Sequence, residues 1–164
     1  MNNVKIEIFD RFEKKLTDEG FIIVTKDDSR PWGGFFVIDE AQAEKFANSY
    51  FDGIDFNSFC SGKLSPKILI VAPDHRLSWQ YHQRRAEIWQ VVEGMVGVVR
   101  SNTDTEGEVI KLATKDQISL KQGERHRLVG LDNWAVIAEI WQHTDEEYPS
   151  DEDDIIRVQD DFGR

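Results

Sequence analysis

The sequence predicts a mainly β protein, an antiparallel sandwich or barrel that carries helical additions at its N-terminus. Three observations support this. Apolar residues recur at three- and four-residue spacing in two N-terminal stretches. From Lys67 onward, short β-rich runs are separated by turn residues. The 164 residues suffice for one domain with a real core and are too few for two.

Taken in order, residues 5–19 predict a helix, with Ile6, Phe9, Phe12 and Leu16 on one stripe and Gly20 as the stop. Residues 21–25 read as a short strand. Residues 26–34, ending Arg30-Pro31-Trp32-Gly33-Gly34, read as turns. A second helix is expected from Asp39, where Asp39 and Gln42 have capping-box spacing and Ala43, Phe46, Ala47 and Tyr50 form the apolar stripe. Residues 52–63 read as a loop. The β runs then follow at 67–72, 77–82, 88–93, 96–100, 109–112, 117–120, 126–129 and 135–142. Residues 146–154 hold six Asp or Glu among nine and are expected in solvent. The resulting division is an N-terminal extension over residues 1–63, packed on a barrel and tail over residues 64–164, within one structural domain.

Composition narrows the partners. A formal net charge of −11 disfavours nucleic acid and anionic membrane surfaces. Local arginines still permit a phosphorylated small molecule. The single cysteine, Cys60, leaves no internal disulfide framework and fits a reducing compartment. No signal peptide is evident at the N-terminus, and no apolar run approaches the roughly 20 residues that span a bilayer. The expected address is cytoplasmic.

The chemistry concentrates in residues 80–94 and around His126. Gln80 and His82 are two apart, so on a strand they share a side. Glu87 leads into the apolar run Ile88 to Val92, and a carboxylate entering a core needs a cation or an arginine. One amide oxygen, one carboxylate and two imidazoles suit the inner shell of a divalent transition metal. The competing reading is four ordinary, partly buried polar residues on strands. Arg85 and Trp89 are in phase with Glu87, whereas Tyr81 is out of phase with Gln80 and His82. Arg127 falls on the strand face opposite His126.

These motifs resemble those of the cupin superfamily, whose fold is the double-stranded β-helix or jelly-roll barrel. Its first motif has two ligand positions one residue apart, then four residues, a glutamate, six residues and a glycine. Gln80-x-His82-x4-Glu87-x6-Gly94 fits, with glutamine at the first position. The second motif is matched by Gly123-x2-His126, with Lys121 in place of a proline. A narrower resemblance is to the type II mannose-6-phosphate isomerase branch. It rests on Arg30-Pro31-Trp32-Gly33, Arg76-Leu77-Ser78-x-Gln80-x-His82, Arg85-Ala86-Glu87-x-Trp89, Gly123-x2-His126-Arg127-Leu128, Glu152-Asp153-Asp154-Ile155-Ile156-Arg157 and Phe162-Gly163-Arg164. It covers residues 29–164, with an insertion around 38–63. That branch often forms the C-terminal part of bifunctional mannose-1-phosphate guanylyltransferases, and the short N-terminal segment here has no room for the nucleotide-binding domain. The branch also carries a histidine-rich run, Gln-x-His-His-His-Arg-x-Glu-His-Trp. Gln83, Arg84 and Ile88 stand where three of those histidines would be.

The resemblance implies aldose–ketose isomerisation of a phosphosugar, mannose 6-phosphate to fructose 6-phosphate, through a cis-enediol. It also implies a divalent metal on Gln80, His82, Glu87 and His126, zinc first, with manganese, iron, cobalt or nickel as alternatives. Arg85 is expected to neutralise an enediolate or bind phosphate, with an ion pair to a nearby carboxylate as the alternative. Arg76, Arg84 and Lys121 are further phosphate candidates, and Trp89 a candidate wall of the sugar site. Glu124 and His75 are candidate proton shuttles. Arg157 and Arg164 are expected to close the tail through Asp154 or Asp160. The chain's partner is then a small phosphosugar, with a homodimer as an option through an edge strand. Competing functions are a non-catalytic sugar-binding cupin, which the three absent histidines favour, and another cupin enzyme such as an iron-dependent dioxygenase.

Overall fold

Apolar spacing places helix α1 (Asn3–Asp18) at the start of the chain, and Ile8, Phe9, Phe12 and Leu16 are its buried residues. Ile6, expected on that stripe, is exposed; Ile8 takes its place one turn before Phe12. The computed structural model describes residues 3–56, 62–143 and 147–163. Cys60, Glu146 and Arg164 lie outside the described residues.

The polar stretch after Phe21 is a strand rather than a series of turns. β1 (Ile23–Arg30) pairs antiparallel with β2 (Gly33–Ile38), and Pro31 and Trp32 alone connect them. β1 is an edge strand with most side chains in solvent, so its sequence lacks the alternation that marks a half-buried strand. Gly33 and Gly34 are required here by close approach. A Cβ on Gly33 would lie 1.9 Å from the Ile70 carbonyl oxygen, and one on Gly34 2.0 Å from that of Asp27.

Asp39 caps a single 3₁₀ turn (Glu40–Gln42) by accepting the Ala41 N–H at 3.1 Å. The expected capping box does not form. Gln42 instead accepts from Ile22 N at 2.7 Å and donates to Gly20 O at 2.8 Å, tying helix α2 (Ala43–Tyr50) to the turn after α1. Phe46 of α2 then meets Phe21 edge-to-face, and Tyr50 packs on it at a tilt.

The remaining strands are β3 (Lys67–Val71), β4 (Trp79–Tyr81), β5 (Arg85–Glu93), β6 (Val96–Ser101), β7 (Ile110–Leu112), β8 (Gln117–Leu120), β9 (Arg125–Gly130), β10 (Ala135–His143) and β11 (Ile156–Gln159). They form two antiparallel sheets, in the orders β1-β2-β3-β10-β5-β8 and β11-β4-β9-β6-β7. This is the jelly-roll arrangement with N-terminal helices added outside it. β11 was not expected from the sequence: its four residues are exposed, and it is a strand because Arg157 pairs with Gln80 and Ile156 with Tyr81 on β4.

The six-stranded sheet is covered on both faces, which explains why β3 and β10 read as continuous apolar runs. Ile68, Ile70, Ile88, Val136, Ala138 and Ile140 face outward into a cluster with α1 and α2. Leu69, Val71, Trp89, Val91 and Ile137 face inward and meet Val96, Val98 and Leu128 of the second sheet. Among the described residues, no helix is long and apolar enough to cross a membrane.

Candidate metal centre and its cavity

Both sheets contribute to one buried cluster at an end of the barrel interior. Glu87 comes from β5 of the larger sheet, His126 from β9 of the smaller, and His82 from the turn that follows β4. Each is about 2% exposed or less. Glu87 Oε1 lies 3.5 Å from His82 Nε2 and 3.2 Å from His126 Nε2. Two ligands held at ~2.1 Å around one ion are separated by about 3.0–3.4 Å in tetrahedral or octahedral geometry.

The backbone determines what these atoms offer. His82 Nδ1 faces the Asp154 carbonyl at 2.6 Å, and His126 Nδ1 faces the Glu124 carbonyl at 3.1 Å. A carbonyl only accepts, so each Nδ1 donates and each Nε2 is turned toward Glu87, where a neutral ring presents a lone pair. Burial pulls the His82 pKa down, against the attraction of Glu87. Burial alone would push Glu87 up, but His82, Arg85 and His126 outweigh it and hold the carboxyl well below its usual range. Two imidazole Nε2 atoms and one carboxylate oxygen therefore converge. Glu87 Oε1 and His126 Nε2 are buried with no hydrogen-bond partner. Such a set of acceptors is stabilised by a cation, so the residues present fit a divalent metal, and they form a metal-type group of three whose ligand atoms all lie within 4.8 Å of one another.

The turn carrying His82 is clasped by the tail. The Asp154 carboxylate accepts Gln83 N at 2.8 Å and Arg84 N at 3.0 Å, and Ser150 Oγ donates to it at 2.6 Å. Burial raises the Asp154 pKa, but these donors outweigh it and the net shift is downward. The second oxygen of Glu87 accepts Arg85 Nε at 3.1 Å, while Arg85 Nη2 lies 3.3 Å from His82 Nε2. The Arg85 guanidinium also lies 3.8 Å from the ring centre of Trp141.

A cavity of ≈ 170 Å³ opens beside the cluster. Gln80, Arg85, Glu87 and Trp89 line it, so four of the residues singled out from sequence meet there. Gln80 is the register partner of His126, and its side-chain oxygen accepts Ser78 Oγ at 2.5 Å, which leaves it a second lone pair. The other candidates lie away from the lining. Arg76 makes a bidentate pair with Asp161, at 2.6 and 2.9 Å. Arg84 donates to Pro149 O and Asp151 and covers the ring of Tyr148. Lys121 is exposed. The Glu124 carboxylate is held by Arg100 at 2.7 and 2.8 Å, leaving its carbonyl to orient His126. His75 turns to Pro73 O and stacks on Phe162. Arg127 is a buried structural arginine bound to Leu77 O and Glu106, and Tyr81 lies under the Arg125 guanidinium.

The cavity also holds charged residues not expected in the site: Lys67 and Glu139, together with Arg30 and Glu152, which entered only as parts of motifs, and Arg157, which was expected to close the tail. Lys67 and Glu139 are the telling ones. Each is an isolated charged residue in or beside a buried β run, and such a residue requires a partner or a role. Lys67 is register-paired with Glu139, its Nζ donates to Glu152 at 3.0 Å, and it sits 4.3 Å from the Trp141 ring centre. Glu139 accepts Trp89 Nε1 at 2.9 Å.

Comparison with known proteins is consistent with this geometry. Residues 47–160 match the family model described as mannose-6-phosphate isomerase C-terminal. The chain is 31% identical over 136 residues to xanthan biosynthesis protein XanB of Xanthomonas campestris pv. campestris, covering 82% of this chain and 23% of that protein. The chain thus spans about a quarter of the curated relatives it matches. Among solved structures, the capsular polysaccharide assembling protein CapF of Staphylococcus aureus superposes with a TM-score of 0.56 at 14% identity, over 87% of this chain and 33% of CapF. KdgF from Halomonas sp. superposes with a TM-score of 0.53 at 14% identity, over 75% of this chain and 89% of KdgF. With the family match spanning well over half its length, the chain belongs to the mannose-6-phosphate isomerase C-terminal family.

Proposed function

We propose that this chain is a metal-dependent aldose–ketose isomerase acting on a phosphosugar, with mannose 6-phosphate and fructose 6-phosphate as the first pair to test. One observation carries the reading: three acceptor atoms converge beside a cavity that is also lined by Arg30, Lys67, Arg85 and Arg157. In a chain of net charge −11, four cations line this cavity, and although Arg30 is paired with Asp27, Lys67 with Glu152 and Arg85 with Glu87, their N–H donors suit an anionic sugar. Family membership supports the same reaction class.

His82, Glu87 and His126, with Gln80 beside them, would hold the metal, and a mixed nitrogen and oxygen shell suits zinc as well as manganese, iron, cobalt or nickel. Bound there, the metal supplies Lewis-acid polarisation of the sugar oxygens at C1 and C2. Arg85 fixes Glu87 in orientation and faces the cavity, where it can offset negative charge on a substrate oxygen. Trp89 and Leu77 exclude water from one wall.

The absence of three histidines found in relatives favoured a non-catalytic binding protein. Their positions weigh against that argument. Gln83 is exposed, Arg84 turns to the tail, and Ile88 faces the helices on the outer side of the sheet. None of the three lines the cavity. The test is a discontinuous assay of mannose 6-phosphate and fructose 6-phosphate interconversion with metal-reconstituted protein. Turnover that disappears with chelation and returns with metal supports the proposal. Fully metallated protein that binds mannose 6-phosphate, seen as a raised Tm, without forming product would move the reading to a binding role.

A further inference from the structure

Resting on the isomerase reading above, we infer that Glu139 is the catalytic residue that carries the proton between the two reacting carbons. The inference comes from where Glu139 stands. It is 6% exposed on β10, on the inner face of the larger sheet, between Lys67 of β3 and Trp89 of β5 in register. It lines the cavity. Trp89 Nε1 fixes one of its oxygens at 2.9 Å, and among the described residues no donor occupies the other.

The remaining carboxylates are committed elsewhere. Glu87 is tied to Arg85 and faces the two imidazoles. Glu152 lies at the mouth, 63% exposed, and holds Lys67. Glu124 is paired with Arg100 and does not line the cavity. A proton carrier must be rigid, screened from bulk water and within reach of the substrate. Glu139 alone among these combines the three.

Its surroundings also suit the task. Burial, and then the Glu87 carboxylate, push the Glu139 carboxyl up to about 7, against the pull of Lys67, Arg85 and the Trp89 N–H. Burial, the larger of these causes, persists when a metal holds Glu87, and a buried carboxyl takes up a proton more readily than a free one.

The step balances on substrate and Glu139 alone. The carboxylate removes the proton on C2 of the aldose. The C2–H pair becomes the C1–C2 double bond, and the C1 carbonyl π pair moves onto O1. A proton passes from O2 to O1, and the O2 pair re-forms a carbonyl at C2. The C1–C2 π pair then takes the proton back from Glu139 at C1. Glu139 ends as it began, and aldose has become ketose.

The experiment compares wild type with Glu139→Gln and Glu139→Asp, all metal-reconstituted, using mannose 6-phosphate in D2O. Turnover and deuterium incorporation at C1 or C2 are read by NMR. Gln preserves the acceptor for Trp89 Nε1, so the fold is expected to hold, with circular dichroism and metal content as controls. Glu139→Gln is expected to keep its metal and its Tm shift with mannose 6-phosphate while turnover and exchange fall about 10²–10⁴-fold. Glu139→Asp, which keeps a carboxylate one methylene shorter, is expected to recover part of both. Glu139→Gln turnover within a few-fold of an active wild type would overturn the assignment to Glu139 and leave the isomerase reading standing. A metallated wild type with neither turnover nor exchange would overturn both.

Discussion

The two faces of the six-stranded sheet are built from the same strands and do different work. The outer face carries Ile68, Ile70, Ile88, Val136, Ala138 and Ile140 under the helices. The inner face carries Lys67, Glu87, Trp89 and Glu139, with Arg85 at one end, before becoming apolar again at Leu69, Val71, Val91 and Ile137. Alternation along a strand lets one residue support the fold and its neighbour face a substrate. Stability and chemistry are therefore separable on this sheet: outer substitutions should change how much protein is folded, and inner ones what the folded protein does.

The largest expected effect is on the inner side. His126→Ala removes one of three converging donors, so metal content is expected to fall below detection and turnover by at least about 10³-fold, or ~4 kcal/mol in the barrier. Elemental analysis and the isomerase assay measure the two together, and stoichiometric metal in the variant would remove His126 from the site. On the outer side, Phe46→Ala empties a fully buried position in α2. It is expected to cost about 3–5 kcal/mol in urea unfolding, with kcat per folded molecule unchanged. A changed metal affinity in that variant would break the separation between the faces.

Smaller effects sharpen the comparison. Arg85→Ala is expected to retain metal and lose about 10²-fold in turnover, because the metal donors remain while a cavity cation is lost. Unchanged turnover would make Arg85 a structural partner of Glu87 only. Ile88→His restores a residue typical of relatives, but on the outer face, where it should cost about 1–3 kcal/mol without improving metal binding or turnover. The last test is a pH dependence. The folded Glu139 carboxyl titrates near 7, above its unfolded value. The unfolded chain thus ionises first as pH rises, and metal-free protein loses stability between about pH 4.5 and 7 through this group. Glu139→Gln should therefore raise the Tm of metal-free protein more at pH 8 than at pH 4.5. An equal rise at both would show that Glu139 does not titrate as its surroundings imply.

The site was partly legible in the sequence because period-two alternation is local. Gln80 and His82, and Arg85, Glu87 and Trp89, could be assigned to shared sides from spacing alone. Arg76, Arg84 and Lys121 could not be sorted, because what turns two of them away is distant: Asp161 lies 85 residues from Arg76, and Asp151 lies 67 from Arg84. Glu139 was hidden by its apolar neighbours, although an isolated carboxylate inside a buried strand was itself the signal. The same logic applies to the fold. The central strands stood out as apolar runs, whereas edge strands β1 and β11, largely exposed, owe their conformation to β2 and β4 rather than to their own composition.

The central claim is that His82, Glu87 and His126 converge to hold one divalent metal at the cavity. Calorimetric titration of zinc into metal-stripped wild-type protein tests it most directly, with His126→Ala as the reference. The account predicts one tight site per wild-type chain, with protein stability rising on saturation, and no such site in the variant. A wild-type chain that takes up no metal, or one whose uptake is untouched by His126→Ala, would contradict it.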